Sequence, residues 1–351
     1  MVAPLRHGPW TLADLETVPR NGLKVFSCFH GGGGSTMGYK LAGFDVLGGV
    51  EIDQDMMEIY RKNHKPKFSY EMGIQDFNRI PDVGLPDQLF DLDILDGSPP
   101  CSSFSMSGAR ERKWGTKFRF REGQAEQVID DLFFHFIETA GKLRPKVIVA
   151  ENVKGLIIGN ARGYVKEIFE AIGKAGYSCQ LFLLNASRMG VPQRRERVFF
   201  IARRDDLGFS DLALNFEEPE ISVKEAFAGI TTRGKDQSGS KHAHLYDLCK
   251  PGDYFSDYHP KGYCFTWLRL PIDSPAPTLL GSAWTMFHFE SMRNLSNEEY
   301  FSLQTFPRDF KVSSNILTAY LCGMSVPPFM IQRIADQIEQ QWLGAVPGPS
   351  S

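Results

Sequence analysis

Several short stretches of the chain carry residues that could do chemistry. In GSPPCSSFSMSG (Gly97–Gly108) a thiol, Cys101, follows Pro99 and Pro100 directly. Proline fixes φ near about −65° and stiffens the loop, and the flanking serines are loop residues rather than core residues. A core cysteine gains nothing from that rigidity, whereas a nucleophile needs to be held in one place. A soft thiolate suits addition to an electron-poor ring carbon, and such a step needs an acid to take up the charge that develops on the ring. Glu151 in VAENVKG is the candidate acid, with an ion pair to Lys154 as its plain structural alternative. In VPQRRERVF, Arg194, Arg195 and Arg197 crowd the start of an apolar strand. Alternation sends Gln193, Arg195 and Arg197 to one face, and arginine forks bind planar acceptors and phosphates.

A second set of residues has the shape of a ligand cradle. FHGGGGSTMG has its glycines between a strand and a helix, where backbone can approach a cofactor closely. Its spacing is near the dinucleotide fingerprint without matching it. Glu51 closes the following strand about twenty residues on, the usual place for an acid that meets ribose hydroxyls. GARERKWGTKFRFREG (Gly108–Gly123) mixes basic residues with Trp114, Phe118 and Phe120. That mixture suits nucleic acid, and a long loop beside a reactive residue reads as a lid.

These residues need elements to position them. Leu23–Phe29, Val46–Asp53, Leu89–Gly97 and Lys146–Val153 read as buried strands, and CQLFLLNA and RVFFIARR as two more. Helices are expected over Ser35–Leu41, MMEIYRKNH, Glu126–Leu143 and YVKEIFEAIGKAG. Strands alternating with helices predict an α/β domain, doubly wound around a mainly parallel sheet. The glycine turn, Glu51, Cys101 and Glu151 then all fall at strand carboxyl ends, where such sheets hold ligands. The pattern dissolves after about Asp205 and helical periodicity returns from Leu295 to Gln341. We expect a catalytic domain of residues 1–205 plus about 312–340, a small irregular domain of 206–311, and a tail of 341–351.

The bulk numbers fit that picture. A chain of 351 residues that is 42% hydrophobic can bury a sizeable core. A net charge of −3 leaves any nucleic-acid surface to a local patch. Six cysteines without a C-x-x-C pair argue for a reducing compartment rather than a disulfide framework. No run approaches a membrane span or a secretory signal, which points to a cytoplasmic protein. His242, His244, Cys249, His259 and Cys264 fit no standard zinc spacing, so no metal is expected.

Taken in order, these stretches resemble the DNA cytosine-5 methyltransferase family from Lys24 to about Phe329. FHGGGGSTMG with LAGF is similar to its first cofactor motif, VEID to its ribose-binding acid and GSPPCSSFSMSG to its Pro-Cys loop. ENVKGL resembles its Glu-Asn-Val motif, VPQRRERVF its Gln-x-Arg-x-Arg motif and SPAPTL (Ser274–Leu279) its ninth motif. RNLSNEEYFSLQTFP and CGMSVP resemble its closing elements. The resemblance implies a methyltransferase-type doubly wound fold with a target-recognition domain, and S-adenosylmethionine as cofactor. It also implies double-stranded DNA as substrate and a target cytosine flipped out of the helix. Cys101 would add to C6, Glu151 would act at N3, and Arg195 and Arg197 would hold the ring and the glutamate. Phe29, Gly32, Gly34, Glu51, Ile52, Ile74, Pro100, Leu132 and Val326 would line the cofactor pocket. Ser105, Ser107, Arg110, Arg112 and Gln193 would meet DNA. The likeness further implies a monomer, a cognate restriction endonuclease as candidate partner, and nucleoid association if the source is bacterial or viral. Three positions depart from the family: Gly73 precedes Ile74 where an Asp is usual, Met324 stands where Asn is usual, and Ser102 follows the Pro-Cys pair where bacterial members more often carry Gln. Methylation of tRNA cytosine, and a catalytically silent DNA-binding role, are the alternative readings.

Overall fold

The computed structural model describes residues 8–100, 132–158 and 162–344, with the backbone of 117–118 and 127–128. Two compact units divide the chain. The larger comprises Val18–Leu184, Glu196–Asn215 and Ile331–Ser351; the smaller comprises Met1–Thr17, Asn185–Arg195 and Phe216–Met330.

In the larger unit, β1 (Lys24–Cys28), β2 (Asp45–Glu51), β3 (Phe68–Glu71), β4 (Ile94–Gly97), β5 (Val147–Val153), β6 (Tyr177–Asn185) and β7 (Glu196–Arg204) form one sheet. Their order is β3-β2-β1-β4-β5-β7-β6. The pairs from β3 through β5 are parallel and β7 runs antiparallel to β5. The expected mainly parallel, doubly wound sheet is therefore present. Helices α1 (Gly34–Leu41), α2 (Gln54–His64), α3 (Ile74–Arg79), α4 (Leu132–Leu143) and α5 (Arg162–Lys174) lie between the strands in sequence. Central β5 is buried along almost its whole length, as a strand covered on both faces must be. α4 buries Leu132, Phe133, Phe136, Ile137, Ala140 and Leu143, a stripe at helical spacing, within the core that holds Phe26, Leu95, Ile148 and Phe200. α2 starts on Asp53, whose carboxylate accepts the N–H groups of Asp55 and Met56, and ends on the cations Arg61 and Lys62. Both ends thus complement the helix dipole.

Three local expectations change. The strand expected from Leu89 begins at Ile94, because Pro86 opens a 3-10 turn over Asp87–Phe90. The helix expected from Glu126 is seen from Leu132, and Gln127–Val128 pairs with Lys117–Phe118 instead. β3 and α3 were not foreseen: β3 is short and nowhere fully buried, so it carries almost no alternation.

Strand order reverses between β1 and β4, which opens a crevice at their carboxyl ends. Just beyond that end, Ser98 N–H donates to the Cys28 carbonyl at 3.3 Å. One buried carboxylate fastens the crevice from below. Asp96 in β4 accepts hydroxyls from Ser27 in β1 (2.6 Å) and from Ser35 (2.8 Å) and Tyr39 (3.2 Å) in α1. Its neighbour Gly97 has to lack a side chain, because a Cβ there would stand 2.5 Å from the Phe136 ring.

The smaller unit has little regular structure beyond α6 (Asn297–Gln304) and α7 (Asn315–Met324). Its loops are tied by side chains. Arg269 donates to the carbonyls of Tyr246, Cys249 and Phe289, and Arg293 makes a two-pronged pair with Glu299 at 2.8 Å. Trp10 Nε1 donates to the Thr305 carbonyl at 3.0 Å.

Burial pushes the Asp96 carboxyl up to about 6, against the pull of its three hydroxyl donors. A pKa raised on folding gives stability that is complete below the unfolded value and is lost as pH rises through the folded one. Asp96→Asn is therefore expected to flatten the fall in Tm between about pH 4 and pH 7, read by thermal melts across that range. An unchanged slope would show that Asp96 does not hold the proton.

Candidate active site

The cofactor-side residues gather where β1 and β2 end. Glu51, the last residue of β2, is buried, and its carboxylate accepts Gly31 N–H through one oxygen and the N–H groups of Ile52 and Asp53 through the other, all at 2.8 Å. Burial raises this carboxyl to about 7, partly opposed by those backbone donors. A carboxylate has about four lone-pair positions, so one remains for a further hydroxyl. Phe29 holds a left-handed φ of 55° and turns the chain out of β1 into the glycine run. Gly33 sits at φ 94°, and a Cβ there would lie 2.3 Å from His64 Nε2. At Gly31 a Cβ would meet nothing within 4 Å, so the backbone of the turn is open on that side. Ile52 is half-buried; Gly32, Gly34 and Ile74 are buried.

A ring stack under this turn was not read from sequence. His30 lies on Tyr60 with ring centroids 3.7 Å apart, and His64 Nε2 meets the Gly32 carbonyl at 3.1 Å. Burial keeps His30 neutral, its pKa pushed down to about 4. Asp96 and its hydroxyl ring were missed too. The only trace in sequence is a single acid closing the apolar alternation of DLDILDG.

The acid-side residues gather where β4 and β5 end. Glu151 pairs across the sheet with Phe199, so Arg197, two residues along β7, is its same-face diagonal neighbour. Arg197 Nε meets Glu151 Oε1 at 2.9 Å, and both side chains are nearly buried. Lys154 pairs with Glu196 at 2.8 Å, so the plain alternative for Glu151 does not hold. The next residue of β5, Asn152, donates its amide to the Pro99 carbonyl at 3.0 Å. This bond anchors the stiff Ser98-Pro99-Pro100 segment; Pro100 is half-buried and Leu132 opens α4 fully buried. Cys101, Ser105, Ser107, Arg110 and Arg112 lie outside the described residues.

Three expected site residues belong to the smaller unit, and two take places other than those expected. Arg195 is buried and donates to the carbonyls of Leu279 (3.4 Å) and Gly323 (2.9 Å). The two arginines are thus split: Arg197 takes the glutamate and Arg195 takes main chain. Gln193 is fully buried, with its amide spent on Gln304 (2.6 Å), the Leu303 carbonyl (3.3 Å) and Leu279 N–H (3.0 Å). A side chain with all these bonds made in the interior braces the unit and is not placed to read a base edge. Val326 is buried just after α7. Gly323 must be glycine, because a Cβ would stand 2.3 Å from Gly281 N. Among the described residues no three His, Cys, Asp or Glu side chains are placed to hold a metal ion, and no helix is long and apolar enough to cross a membrane.

Solved structures share the fold. A prophage-encoded E. coli protein described as a DNA modification methyltransferase aligns with TM-score 0.67 at 21% identity over 91% of this chain and 99% of its own. The Spodoptera frugiperda DNMT2 structure aligns with TM-score 0.61 at 17% identity over 89% and 98%. The doubly wound sheet is therefore the Rossmann-like fold of these methyltransferases. In sequence, the chain is 29% identical over 339 residues to the Type II methyltransferase M1.HphI of Haemophilus parahaemolyticus, covering 90% of this chain and 86% of that one. It is 29% identical over 358 residues to M.FnuDI of Fusobacterium nucleatum, covering 91% and 94%. The C-5 cytosine-specific DNA methylase model matches residues 23–252 and 256–340, and the chain belongs to that family. It is a methyltransferase that moves a methyl group from S-adenosylmethionine to C5 of cytosine in DNA.

The residues present fit that cofactor: an open glycine turn, and a carboxylate with one acceptor position to spare. Glu51→Gln turns one acceptor oxygen into a donor that faces backbone N–H groups. We expect it to weaken S-adenosylmethionine binding by about ten- to a hundredfold in calorimetry, with far-ultraviolet circular dichroism unchanged. Wild-type affinity in the variant would remove Glu51 from the cofactor site.

Proposed function

We propose that Cys101 is the nucleophile and Glu151 the acid of this methyl transfer. The observation that carries the reading is that consecutive residues of β5 serve both. Asn152 fixes the Pro99 carbonyl two residues before the thiol, and Glu151 is locked by Arg197 beside it. A rigid strand end that holds the acid and also anchors the root of the thiol's loop can keep the two in a fixed relation.

The target cytosine is taken out of its stack, because C6 and N3 cannot be reached inside the duplex. The Cys101 thiolate forms a bond to C6, and the C5=C6 electron pair moves into the ring. Glu151 gives a proton or hydrogen bond to N3 and so takes up the charge. C5 is then nucleophilic. S-adenosylmethionine, when bound, would supply C5 with an electrophilic methyl group, the electron pair of the broken sulfur–methyl bond staying on sulfur. Loss of the C5 proton to a water molecule returns its electron pair to the ring bond and expels the thiolate, and N3 gives its proton back to Glu151. Arg197 keeps Glu151 oriented toward the ring, and Glu51 with Phe29, Gly31 and Ile52 would hold the cofactor's ribose and base.

The smaller unit, which contains most of the irregular 206–311 segment, supplies target recognition in this reading. The substrate is double-stranded DNA bound by a monomer. Similarity to Type II methyltransferases supports a restriction endonuclease of the same sequence preference as a partner, and supports action in the cytoplasm on nucleoid DNA.

Cys101→Ser is expected to abolish transfer of labelled methyl to unmethylated DNA while leaving the melting temperature unchanged. Methyl transfer at the wild-type rate would sink the mechanism. DNA with 5-fluorocytosine at the target should trap an adduct through Cys101, since fluorine at C5 cannot leave as a proton does. An active enzyme that forms no adduct on gels would count against addition to C6.

A further inference from the structure

The smaller unit keeps one turn rigid and uses it to display aromatic rings to solvent. His259 builds the turn: its carbonyl accepts Gly262 N–H at 2.9 Å, and its Nδ1 accepts Lys261 N–H at 3.1 Å and Tyr263 N–H at 3.4 Å. The chain then passes through Gly262 and Cys264, both at φ 63°. A left-handed non-glycine residue persists only where its surroundings over-determine it, and such residues cluster where ligands are gripped. The Cys264 carbonyl closes the turn by accepting Trp267 N–H at 2.9 Å.

A relay of rings ties this turn to the unit's core. Tyr263 lies on His259 (5.1 Å between centroids), His259 meets His242 (5.8 Å), and His242 meets Trp267 (5.7 Å). Trp267 in turn packs on Phe255 (5.7 Å) and Phe287 (5.1 Å), which are buried. Despite that support, Tyr263 is 61% exposed and Phe265 72% exposed. Phe265 was not singled out in the sequence, because one phenylalanine among many in an irregular stretch carries no periodic signal. Tyr258 is half-buried with its hydroxyl on Asp253 at 2.5 Å, so it is part of the scaffold.

Lysines mark the kind of partner. Lys261 stands in the turn, and Lys241 is close enough to act electrostatically on both Cys264 and His242. Elsewhere in the unit Lys235 Nζ lies 5.9 Å from the ring of Trp284, itself 44% exposed. Protein–protein interfaces enrich aromatics but deplete lysine, whereas aromatics interleaved with cations are the pattern for nucleic acid.

We infer that the Tyr263–Phe265 turn is a base-reading element of the smaller unit, with Phe265 packing on a thymine methyl in the DNA major groove and Lys241 and Lys261 on flanking phosphates. An apolar ring gains from a T·A pair and not from C·G, which lacks the C5 methyl. The assignment rests on the reading of this unit as the recognition unit.

The test expresses the full-length wild-type chain and the Phe265→Ala and Phe265→Ser variants in a host without cytosine methylation, and maps 5-methylcytosine across the genome. The wild-type consensus should contain a T·A pair that both variants relax, with kcat/KM at the original site lowered about 5- to 150-fold. S-adenosylmethionine binding and Tm should be unchanged. An unchanged consensus and rate would overturn the proposal and leave the turn to another partner. A uniform loss of rate with the consensus kept would also overturn it, since that is support rather than readout. Absence of 5-methylcytosine with the wild-type chain would sink the underlying enzymatic reading, and this inference with it.

Discussion

A carboxylate taken out of water must be surrounded by donors, and Asp96 turns that requirement into architecture. Its three hydroxyl donors come from two different elements, β1 and α1. The acid itself lies in β4, three residues before Pro99. The place where the sheet changes direction is therefore clamped by one group. The glycine turn that leaves β1 and the proline segment that leaves β4 take their positions from the same clamp. Burial outweighs the pull of the three hydroxyls, which is why the carboxyl is left with a raised affinity for protons.

The side proposed to be catalytic uses a different device. Antiparallel pairing of β7 with β5 places Arg197 on the same face as Glu151 and one step diagonal to it. No loop has to fold to make that contact; register alone makes it. Asn152, the next residue, points its amide to the other neighbour of β5 and takes the Pro99 carbonyl. The two faces of one strand therefore serve the two halves of the proposed chemistry, acid on one side and thiol-bearing loop on the other.

Legibility in sequence followed the length of the contacts. Buried strands such as VIVAENV and the amphipathic α4 were readable because their own residues carry the periodic signal. The Glu151–Arg197 relation came from the family resemblance alone: both residues stood out, yet it is the antiparallel register that shows why Arg197 and not Arg195 makes the pair. Gln193 and Arg195 were placed on one face with Arg197 because alternation was extended past the true start of β7 at Glu196. In the structure they turn inward to main-chain carbonyls and to Gln304. The ring stack of His30, Tyr60 and His64 stayed hidden because it joins residues from a turn and a helix with no shared motif. β3 was lost for a simpler reason, since a short, half-buried strand looks like a loop.

Arg269 carries a consequence for how the smaller unit forms and changes. Its guanidinium satisfies the carbonyls of Tyr246, Cys249 and Phe289 and lies 4.3 Å from the Tyr246 ring. Those carbonyls sit some twenty residues away on either side in sequence. Closing that hub brings together segments from both sides of Arg269, so this stretch takes its shape from contacts distant in sequence rather than hairpin by hairpin. Once folded, its shape is set from inside by carbonyls that every residue type possesses. If this unit reads the target as proposed, its outward side chains can change, and with them the preferred target, without renegotiating the fold.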